Sequence, residues 1–191
     1  MNFKDYQKAS FKHLNTCKVM LDSLSLLSSN TTAQINDPLK QKSLLNNMFY
    51  LSGYTLECII NYSIFKHYKW KETESVYVLN HNFSNKCDLA FYDRTPRQSG
   101  RGEYRYSLHG HNFQDTIQVL TKALPGSKIP LIDRAVAVDP ETLKIYRAWQ
   151  VEVRYHPSDT AYLSVILTAS NVKKFVDLTD TVYNELMKIV G

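Results

Sequence analysis

The chain of 191 residues is poor in cysteine, glycine, proline and tryptophan, with three, six, six and two of them. Cys17, Cys58 and Cys87 are odd in number and far apart, which argues against a disulfide framework and against a cysteine-built zinc site. Cys17 and Cys58 fall within apolar helical patterns and read as small core residues. The few glycines form no phosphate-cradling loop, and no motif sets out a Ser-His-Asp or Cys-His arrangement. No apolar run approaches the roughly 20 residues a membrane span needs. Met1 to Lys12 carries charges and lacks the apolar stretch of a secretory signal, so the expectation is a cytoplasmic protein without membrane contact.

Tyrosine is abundant, at 13 residues. Hydrophobic residues at 43% and charged residues at 21% are globular proportions, so residues 1–191 are expected to form one domain with a continuous core. The net charge of +5 and isoelectric point near 9.0 permit contact with phosphates but fall short of a dedicated nucleic-acid binder.

Apolar residues recur at helical spacing from Phe3 to Leu27, through Tyr6, Phe11, Leu14, Cys17, Met20 or Leu21, and Leu24. Asp37-Pro38 reads as a cap and first residue of a second helix reaching about Tyr68. That helix is apolar on more than one face, as expected of a central helix or of one sharing a face with a second copy. Gly53 within it predicts a close helix–helix approach.

From 71 to 110 the periodicity dissolves into a long insertion, with short strands or a small helix at Ser75 to Leu79 and Leu89 to Tyr92. A third helix follows a cap at Asn112 and ends at Pro125-Gly126. A fourth starts at Asp139-Pro140-Glu141 and reaches Val153 before Pro157, and a fifth runs from about Thr168 to Val190. About five helices without a strand series predict an all-α, antiparallel helical bundle with a long irregular insertion.

Three phrases go beyond periodicity. Tyr50-Leu51-Ser52-Gly53-Tyr54-Thr55-Leu56-Glu57-Cys58 resembles the second-helix pattern of HEPN domains, with a small and an acidic residue ahead of the inward-facing stripe. His111-Asn112-Phe113 is similar to that family's His-Asp-Leu helix start, and Trp149 to Pro157 resembles its Arg-Tyr-Pro element, here with His156 between Tyr155 and Pro157. The resemblance covers about Phe3 to Lys69 and Gly110 to Val190. It implies a helical bundle, commonly dimeric, of the kind found among RNA-cleaving toxins, antiviral defence effectors and partners of nucleotidyltransferases. It also implies, for ribonuclease members, an Arg-x(4–6)-His pair facing its dimer mate across a cleft. Arg105 and His111 are separated by five residues here, with Tyr106 where the family has a polar residue.

Metal-free RNA cleavage needs a base, a proton donor and a cation for the transition state, roles suited to His and Arg. His111 is the first acid/base candidate, His109 the alternative and Arg105 the phosphate clamp. Arg154 with His156, and Arg97 and Arg101 in a loop interleaved with tyrosines, are candidate phosphate contacts for RNA. Each has a structural alternative: His109 or His111 as caps of the third helix, Arg154 as a tie between helices, the arginine loop as a solvated surface. His109-Gly110-His111 with Glu103 and Asp115 forms no recognised zinc set, so neither metal nor cofactor is expected. The expected partners are a second copy of the chain, RNA, and a nucleotidyltransferase or other defence protein.

Overall fold

The computed structural model describes residues 1–29, 38–77, 81–87, 89–90, 106–107, 113–150 and 165–191. The first periodic segment forms α1, Lys4–Ser29. Its inward row is Phe3, Ser10, Cys17 and Leu24, flanked by Tyr6 and Leu14, all buried. A seven-residue step turns a helix by only about 20°, so this row stays on one line. Phe11 lies one residue off it and is 56% exposed, contrary to the expected stripe. Ser10 tolerates the seam because its hydroxyl donates to Gln7 O at 2.8 Å.

The second segment forms α2, Pro38–His67, with proline as its first residue. Its expected cap, Asp37, lies outside the described residues. From Leu56 to Phe65 every residue is buried, which identifies α2 as the central helix. Cys17 and Ser52, both small, meet where α1 and α2 pack, with Sγ and Oγ 3.6 Å apart. Burial raises the Cys17 thiol to about 11, which keeps it protonated and inert.

α2 ends in a Schellman motif without glycine. Trp70 N donates to Phe65 O, Lys69 N donates to Lys66 O, and Lys69 takes φ 59° in the left-handed region. The accompanying apolar contact is Trp70 on Phe65, edge to face at 5.3 Å. Trp70 then begins a structured stretch of the region expected to be an irregular insertion. Val76 and Phe83 are buried, and Phe83 packs on Trp70 at 4.7 Å and on Phe65 at 5.3 Å. Phe83 belongs to a short helix α3, His81–Cys87, lying between the two places where local structure was expected. A period of 3.6 cannot be read from two turns, which is why the segment looked patternless. Leu89–Ala90 (β1) and Tyr106–Ser107 (β2) form a two-residue parallel pairing, so of the short strand or small helix expected from Leu89 to Tyr92 the two described residues are strand.

α4, Phe113–Ala123, buries Phe113, Ile117 and Leu120 as expected, with Thr116 and Val119 beside them. Its predicted cap, Asn112, lies outside the described residues. After Gly126, at φ 70°, residues 127–139 turn repeatedly. Ile129 and Ile132 pin this loop to the core, and Lys128 and Leu131 adopt left-handed φ values of 60° and 70°. Such a conformation costs an L-residue about 1–2 kcal/mol. Asp133 offsets part of it by accepting from Ala135 N and Lys128 N, both at 3.0 Å.

α5, Pro140–Ala148, has Asp139 as its cap, accepting from Thr142 N at 3.0 Å and from the Thr142 hydroxyl at 2.9 Å. The helix does not continue through Trp149 and Gln150 toward its expected end at Val153, which lies outside the described residues. The helix stops at Trp149, which is extended at φ −71° and ψ 129°, because its indole is committed to α2. α6, Ala169–Val190, is capped by Thr168 and buries Val172, Phe175, Val176, Thr179, Val182, Leu186 and Val190. Ile189 is 48% exposed, so Val190 is the inward residue of that pair.

The result is an all-α helical bundle. α2 is surrounded by α1, α4 and α6, and α5 packs on α6. α1 is antiparallel to α2, with Phe3 stacked on Tyr62, and to α6, with Lys18 bonded to Asp180 at 2.7 Å. No helix among the described residues is long and apolar enough to cross a membrane.

The carboxylates of Asp133 and Asp139 make the loop and the α5 terminus sensitive to acid. Hydrogen bonds from Ala135 N and Lys128 N hold Asp133 below its ordinary value of 3.8. Those from Thr142 N and its hydroxyl, with Lys174, do the same for Asp139. A depressed folded pKa contributes stability that is present above about pH 3.8 and lost as pH falls through the lower folded value. His13, lowered from 6.5 by burial and then by Lys12, adds an earlier loss as pH falls below its unfolded value. The thermal midpoint is therefore expected to decline modestly below about pH 6.5 and again below about pH 4. Asp139→Asn keeps a capping oxygen that does not titrate, and calorimetry of this variant should show a shallower second decline. An equal decline in both proteins would remove Asp139 from this account.

Candidate functional site

The three distinctive phrases of the sequence meet at one side chain. Trp149, 2% exposed, donates from Nε1 to Tyr50 O at 3.1 Å and lies against the α2 backbone at Gly53. A Cβ on Gly53 would overlap the indole, so the close approach predicted there is between helix and side chain, not between two helices. Tyr50 stacks beside the indole at 6.4 Å, and Phe113, first residue of α4, packs on it at 5.0 Å.

Gln114 ties the remaining ends. Its Nε2 donates to Tyr146 O at 2.7 Å and to Trp149 O at 3.2 Å, the carbonyls at the end of α5. Both acceptors are carbonyls, which fixes the amide with nitrogen toward α5. Phe113 and Tyr146 complete the cluster edge to face at 5.7 Å. The residue types explain the arrangement. Only glycine leaves room for the indole, and a buried indole requires the acceptor that Tyr50 O supplies.

Gly53→Ala tests this packing. Alanine improves helix propensity by about 1 kcal/mol, whereas forcing the indole aside costs about 1–3 kcal/mol. The expected net loss is up to about 2 kcal/mol in urea unfolding, with reduced near-ultraviolet tryptophan dichroism. A stabilised variant with unchanged dichroism would contradict it.

Glu57, from the same phrase, is 6% exposed within α2. Together with burial, the larger cause, this carboxylate pushes the Tyr6 phenol and the Cys58 thiol upward, so both stay neutral. Arg97, Arg101, Arg105, His109, His111, Arg154 and His156 lie outside the described residues. Two residues between Arg105 and His111 are described: Tyr106 and Ser107 form strand β2, paired with Leu89 and Ala90. Among the described residues no group of three or more His, Cys, Asp or Glu side chains is placed to hold a metal ion.

Beside the Trp149 cluster lies an open groove of about 540 Å³ between α4, the loop 127–139 and α5. Arg134 and Arg147 line it together with Gln114 and Gln118. These residues were not singled out from the sequence. They are scattered over 34 positions without a motif, and only the turn of the loop brings them together.

Comparison with known proteins finds no family model that matches the chain, no match among curated proteins and no match among solved structures.

Proposed function

We propose that this chain is a HEPN-like, metal-independent RNA endonuclease of the cytoplasm, acting as a toxin or antiviral defence effector. The observation that carries the reading is the convergence on Trp149. The three phrases that resemble the family, carried by α2, the start of α4 and the end of α5, share one packed cluster in an all-α bundle. His111 stands two residues before Phe113 in sequence, and Arg154 five residues after Trp149. In this reading His111, or His109 in its place, exchanges the protons of the ribose 2′-hydroxyl and the leaving 5′-oxygen. Arg105 stabilises the charge that develops on the phosphate. Arg154, His156, Arg97 and Arg101 hold neighbouring phosphates. Two copies of the chain supply the paired site.

The test is incubation of purified protein with tRNA, mRNA and single-stranded DNA in chelator. RNA-specific cleavage that survives chelator and is lost in His111→Ala supports the proposal. Cleavage that chelator abolishes, or that His111→Ala leaves intact, defeats it.

A second reading is a non-catalytic interaction module for a nucleotidyltransferase or another defence protein. It is favoured by the outer face of α1, where Phe11 and Val19 are 56% and 65% exposed. It predicts self-association or co-purification with a partner, lost in Phe11→Glu, and no RNA cleavage at any concentration.

A further inference from the structure

The groove beside Trp149 combines features that the packing of the bundle does not require. Arg134 extends from the loop and is held by Gln118 Oε1 at 2.9 Å. Arg147 extends from the last turn of α5 and has no carboxylate partner among the described residues. Nearby lysines are neutralised, Lys144 by Glu141 at 2.6 Å and Lys174 by Asp139 at 3.4 Å. Asp133 is the acidic side chain on the lining, and both of its oxygens already accept backbone amides, from Ala135 and Lys128. Two guanidinium groups from different elements therefore line one concavity whose carboxylate is already engaged.

The other wall is apolar, formed by Leu131, Val136, Val138 and Leu143. A volume of about 540 Å³ suits a ligand of nucleotide size. Leu131 contributes to this wall from a left-handed backbone, φ 70°, a conformation that leucine adopts only when its surroundings impose it. Gln114 Oε1 accepts no hydrogen bond among the described residues, because its amide nitrogen serves Tyr146 and Trp149.

We infer that this groove binds a nucleoside phosphate, with Arg134 and Arg147 on the phosphate, the aliphatic wall against the base, and Gln114 accepting from a base amine or ribose hydroxyl. Guanidinium matches the phosphate oxygens in shape and charge, and the aliphatic wall rewards a flat, partly apolar base. Its lining residues are other than those assigned to cleavage, and the inference does not depend on RNA being cut. The same chemistry is offered by a free mononucleotide and by one nucleotide of an RNA strand.

Titration calorimetry on the full chain with AMP, with a six-nucleotide single-stranded RNA carrying a non-cleavable 2′-methoxy backbone, and with inorganic phosphate separates these sources. AMP binding that weakens about 10-fold or more in Arg134→Ala and in Arg147→Ala, but not in Lys173→Ala on α6, establishes a free-nucleotide site. The same pattern with the oligonucleotide alone establishes a strand-binding site. Unchanged thermal midpoints in the variants, all at exposed positions, exclude misfolding as the cause. The inference is overturned if neither nucleotide binds, if both arginine variants bind as the parent does, or if inorganic phosphate binds as tightly as AMP and the oligonucleotide. Cleavage and its dependence on His111 are read in a separate assay, so either proposal can fail without the other.

Discussion

Replacing Trp149 with alanine is expected to lower the unfolding free energy by about 3–5 kcal/mol, a large share of the stability of a domain this size. The indole is 2% exposed and touches α2 at Gly53, α4 at Phe113 and Tyr50 one turn before the glycine. Removing it opens a cavity at the junction of three helices and leaves Tyr50 O without the Nε1 donor now at 3.1 Å. Trp149→Phe divides the two contributions. It refills most of the volume and loses the hydrogen bond, so the expected cost is about 1–3 kcal/mol. Urea unfolding followed at 222 nm measures both. Because Gly53 and Trp149 act as one contact, the double variant Gly53→Ala/Trp149→Ala should be less destabilised than the sum of the singles by about 1 kcal/mol. Additive values would show that the glycine is there for another reason.

The second large effect is expected in activity. If His111 is the general acid or base of RNA cleavage, His111→Ala should slow it by about 10²–10⁴-fold, the usual share of a positioned proton-transfer group. On the same proposal Arg105→Ala should reduce the rate by a comparable factor, since it would remove the charge proposed to stabilise the phosphate in the transition state. His109→Ala should have a smaller effect. The pH profile of the parent should turn over near the ordinary histidine range, about 6–7, and lose that limb in His111→Ala. His111 precedes Phe113 by two residues in the sequence, so the thermal midpoint of His111→Ala must be compared with the parent's. A folded variant that cleaves RNA at the parental rate would dismiss His111, and an equal loss in His109→Ala alone would transfer the role to its neighbour.

The helices that were legible in the sequence are those with long stripes or side-chain caps. α6 shows both, with Thr168 capping and a row from Val172 to Val190. α5 was legible at its start, where Asp139 and Pro140 carry local signals, and illegible at its end. Its stop is dictated by a tryptophan reaching a glycine almost a hundred positions earlier in the chain. α3 escaped because two helical turns carry too little period, although Phe83, Trp70 and Phe65 form a tight aromatic cluster in space. Phe11 reads as inward because its side chain is apolar, whereas the seven-residue row places Ser10 there.

The sequence alone determined that this is an all-α bundle, with α2 either central or sharing a face with a second copy, and the structure placed α2 at the centre. Period, capping and the all-round apolar character of α2 are local properties, written in consecutive residues. It also marked Gly53 and Trp149 separately, as a glycine needing a reason and as part of a family-like phrase. Only the tertiary structure decided that each is the reason for the other, and that Arg134 and Arg147 share a groove. Contacts between distant positions depend on how helices pack and how the loop 127–139 turns, and a chain without recurrent long-range motifs carries no local trace of either.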